Sequence, residues 1–368
     1  MDKTAKVLLL GAGKIGRLIA SMLSGSGGYA VTVGDRDAAA LGAISSGDIA
    51  VCPVDVNDAA SLAQAVAGFD YVLNACPFTA AVAIATAARG AGAHYFDLTE
   101  DVDATRGIRA LAQDAPCAFM PQCGLAPGFI SVVGYDLAQG FDSVDQLHLR
   151  VGALPEFPSN ALKYNLTWST DGLINEYCNP CEALVDGQML QVAALEGLEH
   201  FSLDGIEYEA FNTSGGLGTL CETMAGRVRN LNYRTVRYPG HAKIIRLLLD
   251  GLQLRHRRGL LRDVLESAIP VTAQDVVLIF VTASGQRDGQ FTQVSYANKI
   301  YAARLGDHQW SAIQITTAAG ICTAVDLHAA GKLAPTGFIR QEQMALDDFL
   351  ANRFGRHLAG SQRLKSAA

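Results

Sequence analysis

The residues best suited to chemistry are three glycines that follow an apolar segment near the start of the chain. The run Val7–Leu10 leads into Gly11-x-Gly13-x-x-Gly16, and a helical pattern follows from Arg17 to Leu23. With this spacing, the first glycine permits a tight turn and the second lets the backbone approach a pyrophosphate. The third lets the helix pack closely on a sheet. Because the free N–H groups at a helix start attract phosphate oxygens, the pattern predicts a dinucleotide-binding turn.

An acidic residue stands at the distance that such a turn requires. Asp35 follows the second apolar strand, Ala30–Gly34, and its carboxylate can accept hydrogen bonds from the ribose of an adenosine. A carboxylate also repels a 2′-phosphate, which favours NAD, whereas the guanidinium of the neighbouring Arg36 can accommodate that phosphate. The sequence therefore favours NAD as the cofactor and leaves NADP as the alternative.

The loops that follow the other strands supply further candidates, because ligands of an open parallel sheet bind outside the carboxyl ends of its strands. Asp55-Val56 stands where an adenine would lie, and Asn74–Pro77 stands near the expected nicotinamide ribose. Each loop, taken singly, is equally well explained as an ordinary turn. The candidate cofactor-binding residues are Gly11, Gly13, Lys14, Ile15, Gly16, Asp35, Arg36, Asp55, Val56, Asn74, Ala75, Cys76, Pro77 and Asp97.

A second set of reactive side chains lies in the carboxyl-terminal half. Asn230–Tyr238 has the pattern of a strand, in which Tyr233, Thr235 and Arg237 share one face. The guanidinium of Arg237 suits bidentate binding of an α-carboxylate. His241 opens the helix that follows, where we expect it to be partly exposed and able to shuttle protons near neutral pH. A salt-bridged arginine and a capping histidine remain the structural alternative.

The first 125 residues alternate strands and helices in the manner of a parallel sheet. The predicted strands are Val7–Leu10, Ala30–Val33, Ala50–Val54, Tyr71–Asn74, His94–Asp97 and Cys117–Pro121. After Gly124–Gly128, longer alternating strands and hairpins predict a mixed or antiparallel sheet with helices on one face. The expected fold class is α/β, a doubly wound Rossmann domain with a second α+β domain.

The second domain is expected to contain eight extended segments. They are Gln146–Val151, Leu162–Trp168, Glu182–Leu190, Glu207–Asn212, Asn230–Tyr238, Asp275–Ala283, Gln290–Arg304 and Gln309–Thr316. A small-residue helix, Thr317–Ala330, is then predicted to return to the first domain. Residues 1–125 and 317–368 would form the NAD(P)-binding domain, and residues 126–316 the substrate, catalytic and dimerisation domain.

Bulk properties exclude several classes of protein. The sequence has 368 residues and a net charge of −7, which makes the protein a poor nucleic-acid binder. No apolar run approaches the roughly 18–20 residues that span a bilayer, and no segment resembles a signal peptide. Eight dispersed cysteines indicate reduced thiols in a cytoplasm. Cys178 and Cys181 have CxxC spacing without a second pair, so we expect no metal.

Several segments resemble the lysine 6-dehydrogenase and saccharopine dehydrogenase family. They are Gly11–Gly16, Gly124–Gly128, Phe211–Gly216, Tyr233–His241, and Tyr164-Asn165 followed by Asp171–Ile174. The resemblance extends from Val7 to about Gly337. Its Ser-Gly-Gly and Pro-Gly-His elements are more similar to the lysine 6-dehydrogenase branch.

The resemblance implies an NAD(P)-dependent oxidoreductase, a homodimer, that acts on the terminal C–N bond of lysine or of a lysine adduct. The favoured reaction is oxidative deamination of L-lysine at C6 to aminoadipate semialdehyde. A glutamate-forming saccharopine dehydrogenase is the alternative, and a non-catalytic NAD(P)-binding sensor is the second alternative.

The resemblance also suggests roles for five residues. His241 is the candidate base, and Arg237 with Thr213 and Ser214 would hold the amino-acid end of the substrate. Lys163 stands where lysine dehydrogenases carry an acid. It would either repel a substrate amine or bind an additional carboxylate, such as that of the glutamate arm of saccharopine.

Overall fold

A computed structural model describes residues 4–44 and 49–359, and these form two compact units. Unit 1 contains the residues up to Phe129 together with Thr317–Leu358, and unit 2 contains Ile130–Thr316. In the described residues the strands are β1 Ala5–Leu10, β2 Tyr29–Asp35, β3 Ala50–Pro53, β4 Tyr71–Asn74, β5 His94–Asp97, β6 Ala118–Met120, β7 Ser143–Pro155, β8 Cys181–Val185, β9 Gln188–Val192, β10 Glu199–Leu203, β11 Ile206–Asn212, β12 Val228–Arg237, β13 Asp275–Arg287, β14 Gln290–Tyr301, β15 Ala303–Leu305, β16 His308–Trp310 and β17 Gly337–Phe338.

The α-helices of the same residues are α1 Lys14–Ser24, α2 Ala38–Gly42, α3 Ala59–Val66, α4 Ala81–Ala91, α5 Val102–Ala112, α6 Phe129–Gln139, α7 Thr170–Cys178, α8 Leu220–Met224, α9 His241–Arg246, α10 Arg258–Ala268, α11 Ala312–Ala329 and α12 Leu346–Ala351. Single helical turns of other types occur at Phe78–Ala80, Leu247–Gly251, Leu254–His256, Gln341–Gln343 and Gly355–Leu358.

The sheet of unit 1 has seven strands in the order β17-β6-β5-β4-β1-β2-β3. Every neighbouring pair is parallel. The direction of winding reverses between β1 and β4, and such a switch point is where a doubly wound sheet binds its ligand. All six strands predicted for this region are present, and the seventh, β17, comes from the part of unit 1 that follows unit 2 in sequence.

Both faces of this sheet are buried, as is usual for parallel sheets covered by helices. Leu8 and Leu10 of β1 join one apolar cluster with Ile84 of α4 and Ile108 of α5. Val7 is equally buried, and its side chain points to the opposite face because strand residues alternate. Apolar packing on both sides fixes the carboxyl ends of the strands, from which the candidate cofactor loops extend.

The sheet of unit 2 is mixed, as the sequence predicted. Its order is β10-β11-β12-β7-β13-β14, and the β8–β9 hairpin attaches to β12. Among the strand pairs of this sheet in the described residues, only β12 and β7 are parallel. The sheet curls so that its edges meet. Phe201 of β10 lies 5.4 Å from Phe280 of β13 between ring centroids, and Lys299 of β14 binds Asp204 at 3.0 Å.

Helices α7, α9 and α10 pack in a separate apolar cluster of unit 2. Ile174, Ile245 and Leu261, one from each helix, pack there with Tyr164 and with Phe211 of β11. This cluster supports the side chains that the sequence singled out in the second half of the protein.

Two predicted strands are wrong. Leu162–Trp168 has no strand structure, and Lys163 has φ of +50°, a left-handed conformation that interrupts an extended backbone. In the segment Gln309–Thr316, α11 begins at Ala312. The carboxylate of Asp275 accepts hydrogen bonds from the N–H groups of Ala312 and Ile313, so a residue distant in sequence caps this helix.

Candidate active site

The glycine turn after β1 has two glycines that the protein's own packing requires. Gly11 has φ of +107°, and a Cβ there would lie 2.8 Å from the carbonyl carbon and oxygen of Ala75. A Cβ on Gly16 would lie 1.9 Å from the carbonyl oxygen of Gly11. Side chains at these two positions would collide with backbone, so both glycines shape the turn.

Gly13 is different, because nothing in the described part of the protein requires it to be glycine. Its φ is −74°, an ordinary value, and a Cβ there would meet no atom within 4 Å. Helix α1 starts at the next residue, and no side chain caps it. Open space beside an uncapped helix start fits the pyrophosphate of a dinucleotide. Lys14 is exposed and Ile15 half-buried in the first turn of this helix.

Asp35, the last residue of β2, stabilises this turn through hydrogen bonds to the backbone. One carboxylate oxygen accepts the N–H of Ala12 at 2.7 Å, and the other accepts the N–H of Asp37 at 2.9 Å. Each carboxylate oxygen has a second lone pair, so the half-buried Asp35 can still accept a ribose hydroxyl. Arg36 beside it is exposed and can meet a 2′-phosphate.

The loop after β4 lies beside this turn at the switch point. The amide oxygen of Asn74 accepts the N–H of Cys76 at 2.9 Å. Ala75 and Cys76 are half-buried, and Pro77 is exposed. Burial raises the pKa of the Cys76 thiol to about 12, with a further upward contribution from Asp35. The thiol is therefore protonated near neutral pH. Because Asp35 ends β2, its effect on Cys76 also shows that the loop after β4 lies close to the end of β2.

Three cofactor candidates remain, and two of them, Asp55 and Asp97, have internal partners. Asp55 is exposed, and its carboxylate accepts both the backbone N–H and the amide N–H of Asn57, while Val56 is half-buried. Asp97 is completely buried, and its carboxylate accepts hydrogen bonds from Tyr95 Oη and two backbone N–H groups. Asp97 therefore ties β5 to the end of β6 and does not face the surface where a cofactor would bind, contrary to expectation.

Glu100 is a candidate that sequence reasoning missed. It follows β5 at the same edge of the sheet and is half-buried. Burial, with the like charges of Asp101 and Asp97, raises the pKa of Glu100 to about 7. A carboxyl group with that pKa can take up or release a proton near neutral pH. The only signal for it in the sequence is weak, three acidic residues within six positions after a strand.

In unit 2, the side chains of Tyr164, Glu176, Tyr177, Arg237 and His241 form a buried group, the arginine cluster. Arg237 Nε donates to Tyr177 Oη at 3.0 Å, and Tyr177 Oη lies 3.0 Å from His241 Nε2. His241 Nδ1 lies 2.9 Å from the carbonyl oxygen of Leu162. Because that carbonyl can only accept, Nδ1 carries the proton and Nε2 accepts from the tyrosine hydroxyl.

The expectation that His241 is partly exposed is wrong. Its side chain is 2% exposed, and both ring nitrogens are engaged. Burial, reinforced by the charge of Arg237, lowers the pKa of His241 to about 3. The ring is therefore neutral near pH 7 and a weak base, which removes the reason for assigning it the substrate proton.

Arg237 carries the positive charge of the cluster. Its side chain is 3% exposed, and its guanidinium carbon lies 4.8 Å from the ring centre of Tyr164 and 5.9 Å from that of Tyr177. The nearby tyrosines and Glu176 raise the pKa of Arg237 against the effect of burial. It is thus a permanent cation held over aromatic rings, a contact that guanidinium groups favour.

Three other predicted residues lie around this cluster. Thr213 and Ser214 are buried, and Ser214 N donates to the carbonyl of Glu176 at 3.0 Å. In the described part of the protein, Thr213 Oγ1 is buried without a hydrogen-bond partner. Lys163 is exposed, and its Nζ donates to the carbonyl oxygen of Pro239 at 3.2 Å. Lys163 therefore reaches the loop that carries His241.

Glu209 is a second residue that sequence reasoning missed. It is 2% exposed, and its carboxylate accepts the N–H groups of Gly240 and Ala242 at 2.8 and 2.7 Å. A carboxylate in this position caps a helix and interacts favourably with its dipole. Glu209 thus fixes the start of α9, where His241 stands, and only the pairing of β11 with β12 brings it there.

No helix within residues 4–44 and 49–359 is both long and apolar enough to cross a membrane. Within the same ranges, no three His, Cys, Asp or Glu side chains are grouped as metal ligands. Cys178 and Cys181 are free thiols.

Two family profiles match nearly the whole sequence. "Saccharopine dehydrogenase NADP binding domain" matches residues 7–118, and "Saccharopine dehydrogenase C-terminal domain" matches residues 124–360. The protein belongs to the saccharopine dehydrogenase family. It is an NAD(P)-dependent oxidoreductase of the type that acts on CH–NH donors. The family profile names NADP, which the sequence kept as the alternative to NAD.

Curated relatives and a solved structure agree with this assignment. A saccharopine dehydrogenase (NADP+, L-glutamate-forming) from Pyricularia oryzae is 25% identical over 313 residues, 80% of this protein and 67% of the relative. The enzyme of the same description from Schizosaccharomyces pombe is 21% identical over 66% of this protein and 57% of its own length. The match therefore spans about two thirds or less of these relatives.

The solved structure is an apo saccharopine dehydrogenase (L-Glu forming) from Saccharomyces cerevisiae. It has a TM-score of 0.77 and 17% sequence identity, and the match covers 92% of this protein and 94% of that one. At this identity the likeness concerns the fold, which is the doubly wound domain with a second mixed-sheet domain.

Proposed function

We propose that this protein is an NADP+-dependent saccharopine dehydrogenase that forms glutamate and aminoadipate semialdehyde. The observation that carries the proposal is the pair of cations beside Tyr164. Arg237 lies against its ring, and Lys163 precedes it and is anchored on Pro239. Both curated relatives described above act in the glutamate-forming way, which favours this reaction over the deamination of lysine that the sequence favoured.

The charge of the substrate explains why two cations support saccharopine. Saccharopine joins the terminal nitrogen of lysine to a glutamate skeleton, so it carries more carboxylates than lysine does. A carboxylate that leaves water needs a charged or hydrogen-bonding partner. Arg237 supplies the charge, and although its Nε donates to Tyr177 and its Nη1 to the carbonyl of Val236, its remaining N–H groups can donate to a carboxylate. Free lysine has one carboxylate, and its terminal ammonium would be repelled by Lys163.

A bound NADP+ would supply the acceptor for the hydride that leaves the lysine C6 carbon of the substrate. The secondary amine must be neutral beforehand, since a positively charged nitrogen cannot donate its electron pair to the forming C=N bond. The resulting imine adds water at C6, and the C–N bond then breaks to release glutamate and leave the semialdehyde. Gly13, the start of α1, Asp35 and Arg36 would hold the dinucleotide for this step.

Glu100 is our candidate for the proton acceptor. Its pKa of about 7 matches the requirement that a general base be partly deprotonated at the working pH. His241 instead acts as a positioning residue, because its neutral ring accepts the Tyr177 hydroxyl and Tyr177 in turn accepts from Arg237. This series of hydrogen bonds fixes the direction of the guanidinium.

The proposal is tested by turnover of the purified protein with saccharopine or lysine, each with NADP+ and with NAD+. We expect NADPH and glutamate to form in equal amounts from saccharopine. Ammonia released from lysine, without glutamate from saccharopine, would instead identify a lysine 6-dehydrogenase. Binding of NADPH without turnover of either substrate would identify a sensor.

A further inference from the structure

A cavity of about 360 Å³ opens on the sheet of unit 2, beside the β8–β9 hairpin. Its polar lining comes from two neighbouring parallel strands and the end of a third. The polar lining residues are Gln146, His148, Asn212, Asn230, Asn232 and Arg234. None of these residues belongs to the arginine cluster.

Strand alternation separates this cavity from the arginine cluster. Tyr233, Thr235 and Arg237 occupy alternate positions of β12, and Arg234 occupies an intervening one, so their side chains point to opposite faces. The register pairs Asn232 with His148 and Arg234 with Arg150 on β7, which places these polar side chains in neighbouring rows on one face. The cavity therefore belongs to the face of β12 that Arg237 does not use.

Three buried polar atoms that line the cavity have no hydrogen-bond partner in the described part of the protein. They are Arg234 Nε, His148 Nδ1 and Asn232 Oδ1. The side chains of His148 and Asn232 also contact each other through a hydrogen bond that raises the pKa of His148, so Arg234 Nε is the atom of the three whose side chain has no such contact with the other two. Buried polar atoms are rarely left unpaired, because each loses its hydrogen bonds to water. An N–H that can only donate and an amide oxygen that can only accept lie in the same cavity, so a complementary ligand needs both an acceptor and a donor.

The charges around the cavity leave an excess of positive charge. Arg150 binds both carboxylate oxygens of Glu199, at 2.6 and 3.1 Å, and Arg234 Nη1 binds the same carboxylate at 2.9 Å. Burial, with the charges of Arg150 and Arg234, lowers the pKa of His148 against the opposing effect of the Asn232 amide, so its ring is neutral. Two cations therefore share one anion, which favours a ligand of net negative charge.

Gly197 lies against two of the side chains that line the cavity, Asn212 and Arg234. Its φ is +66°, and a Cβ there would lie 3.1 Å from Asn212 Oδ1 and 3.3 Å from Arg234 Nη2. The absence of a side chain lets the segment before β10 lie directly on these groups, which holds the arginine in place.

We propose that this cavity binds a small acidic amino acid, distinct from the substrate at the arginine cluster. A carboxylate oxygen accepts from Arg234 Nε, and the amino group donates to Asn232 Oδ1, with His148 as a further partner. The net charge of −1 of such a ligand matches the excess charge of the two arginines and Glu199. The proposal does not depend on which substrate the enzyme oxidises, because it concerns the other face of β12.

The test is calorimetric titration with L-glutamate, without nicotinamide cofactor, of four proteins. These are the wild type, Arg234→Met, Arg229→Met and Arg237→Met. Arg229 lies on the same strand and bridges Asp186 at the surface, so it is the matched control. We expect Arg234→Met to weaken one class of sites by about ten- to a hundredfold, the effect of one charge-assisted hydrogen bond. Arg229→Met and Arg237→Met should bind glutamate at that class of sites with wild-type affinity.

Thermal unfolding of each variant checks the fold. If Arg234→Met unfolds, Asn232→Leu removes the acceptor without touching Glu199 and should weaken the same class of sites. Glutarate, which lacks the amino group, should bind this class about tenfold less tightly than L-glutamate.

Three results would overturn the proposal. The first is glutamate binding by Arg234→Met that equals that of the wild type. The second is loss of every glutamate site in Arg237→Met, which would place all binding at the arginine cluster. The third is no glutamate binding to the wild type. A change of oligomeric state in Arg234→Met, measured by light scattering, would then assign this face to a second copy of the protein. Turnover of saccharopine is a separate measurement. None of these three results changes the conclusion about the substrate that is drawn from it.

Discussion

The glycine turn of unit 1 and the arginine cluster of unit 2 differ in what they are made of. In the turn, the groups that would meet a ligand are backbone, and Gly13 faces open space beside an uncapped helix. In the arginine cluster, side chains satisfy one another, and Arg237 and His241 are almost completely buried. A site made of backbone depends on the absence of side chains, whereas a site made of side chains depends on each partner in the series of contacts.

The largest expected effect separates two glycines within the turn. A Cβ on Gly16 would overlap the carbonyl oxygen of Gly11, so Gly16→Ala should lose most of the folded protein. The same change at Gly13 meets open space, so Gly13→Ala should unfold at the wild-type temperature and bind NADPH about ten- to a hundredfold more weakly. Thermal unfolding and fluorescence titration with NADPH measure both. Wild-type affinity in Gly13→Ala would contradict the assignment of the pyrophosphate.

The next effect concerns the arginine cluster. Arg237→Met removes a buried cation and leaves Glu176 and the Tyr177 hydroxyl without it, a loss that costs about 3–5 kcal/mol when one partner of a buried pair is removed. We expect kcat/KM for saccharopine to fall by about a hundred- to a thousandfold, while the affinity for NADPH stays the same. Arg229→Met is the control on the same strand. A fall shared equally by both variants would argue against a role for Arg237 in the substrate site.

A smaller change tests the proton acceptor. Glu100→Gln should lower kcat/KM for saccharopine by about a hundredfold and remove its rise as pH increases through about 7, the pKa of Glu100. Asp103→Asn, at an exposed acid of α5, is the control. An unaltered pH profile in Glu100→Gln would remove the assignment.

The same variant has a second readout, in stability. The pKa of Glu100 is raised in the folded protein from 4.5 to about 7. Its protonated form therefore stabilises the fold below about pH 4.5, and this contribution is lost as the pH rises towards 7. Glu100→Gln should flatten the dependence of the unfolding temperature on pH in that interval.

The smallest expected effect is at Lys163. Its side chain is exposed, and exposed ion pairs contribute only about 0.2–1 kcal/mol. Lys163→Met should therefore raise KM for saccharopine by about two- to fivefold, with Lys243→Met, an exposed lysine of α9, as the control. A lower KM for lysine in Lys163→Met, together with an unchanged KM for saccharopine, would favour lysine as the substrate.

The comparison also explains what could be predicted from the sequence. The turn was predictable because the residues that define it are close together in the sequence. They are a strand, three glycines and then Asp35. The arginine cluster was predictable only in part. Arg237 and His241 stand out by type, but their burial and their partner Tyr177 depend on contacts between segments that are 60 and 64 positions apart.

Secondary structure shows the same division. Strands of the parallel sheet were predicted because apolar runs between turns are local signals. Ala312–Thr316 was predicted as a strand, since its apolar and β-branched residues fit a strand pattern. A local signal for the helix was present, because Ser311 and Gln314 form a capping box in which each side chain accepts the backbone N–H of the other residue. The further cap from the carboxylate of Asp275 depends on a contact between distant segments, which no local pattern contains.

The position of β17 has a consequence for synthesis of the protein. This strand pairs with β6, and Gly320 of α11 lies so close to the backbone after β6 that a Cβ would be 2.6 Å from the carbonyl oxygen of Cys123. The nucleotide-binding unit thus receives its last strand only after all of Ile130–Thr316 has been translated. Among the described residues, unit 2 is one continuous segment, Ile130–Thr316, apart from Ala359. This segment can finish folding first, the reverse of the usual order in which the earlier domain folds first. Until β17 arrives, the edge of β6 is an open template for pairing with other proteins. A protein whose translation ended between Thr316 and β17 would have a complete substrate unit and an unfinished nucleotide-binding sheet.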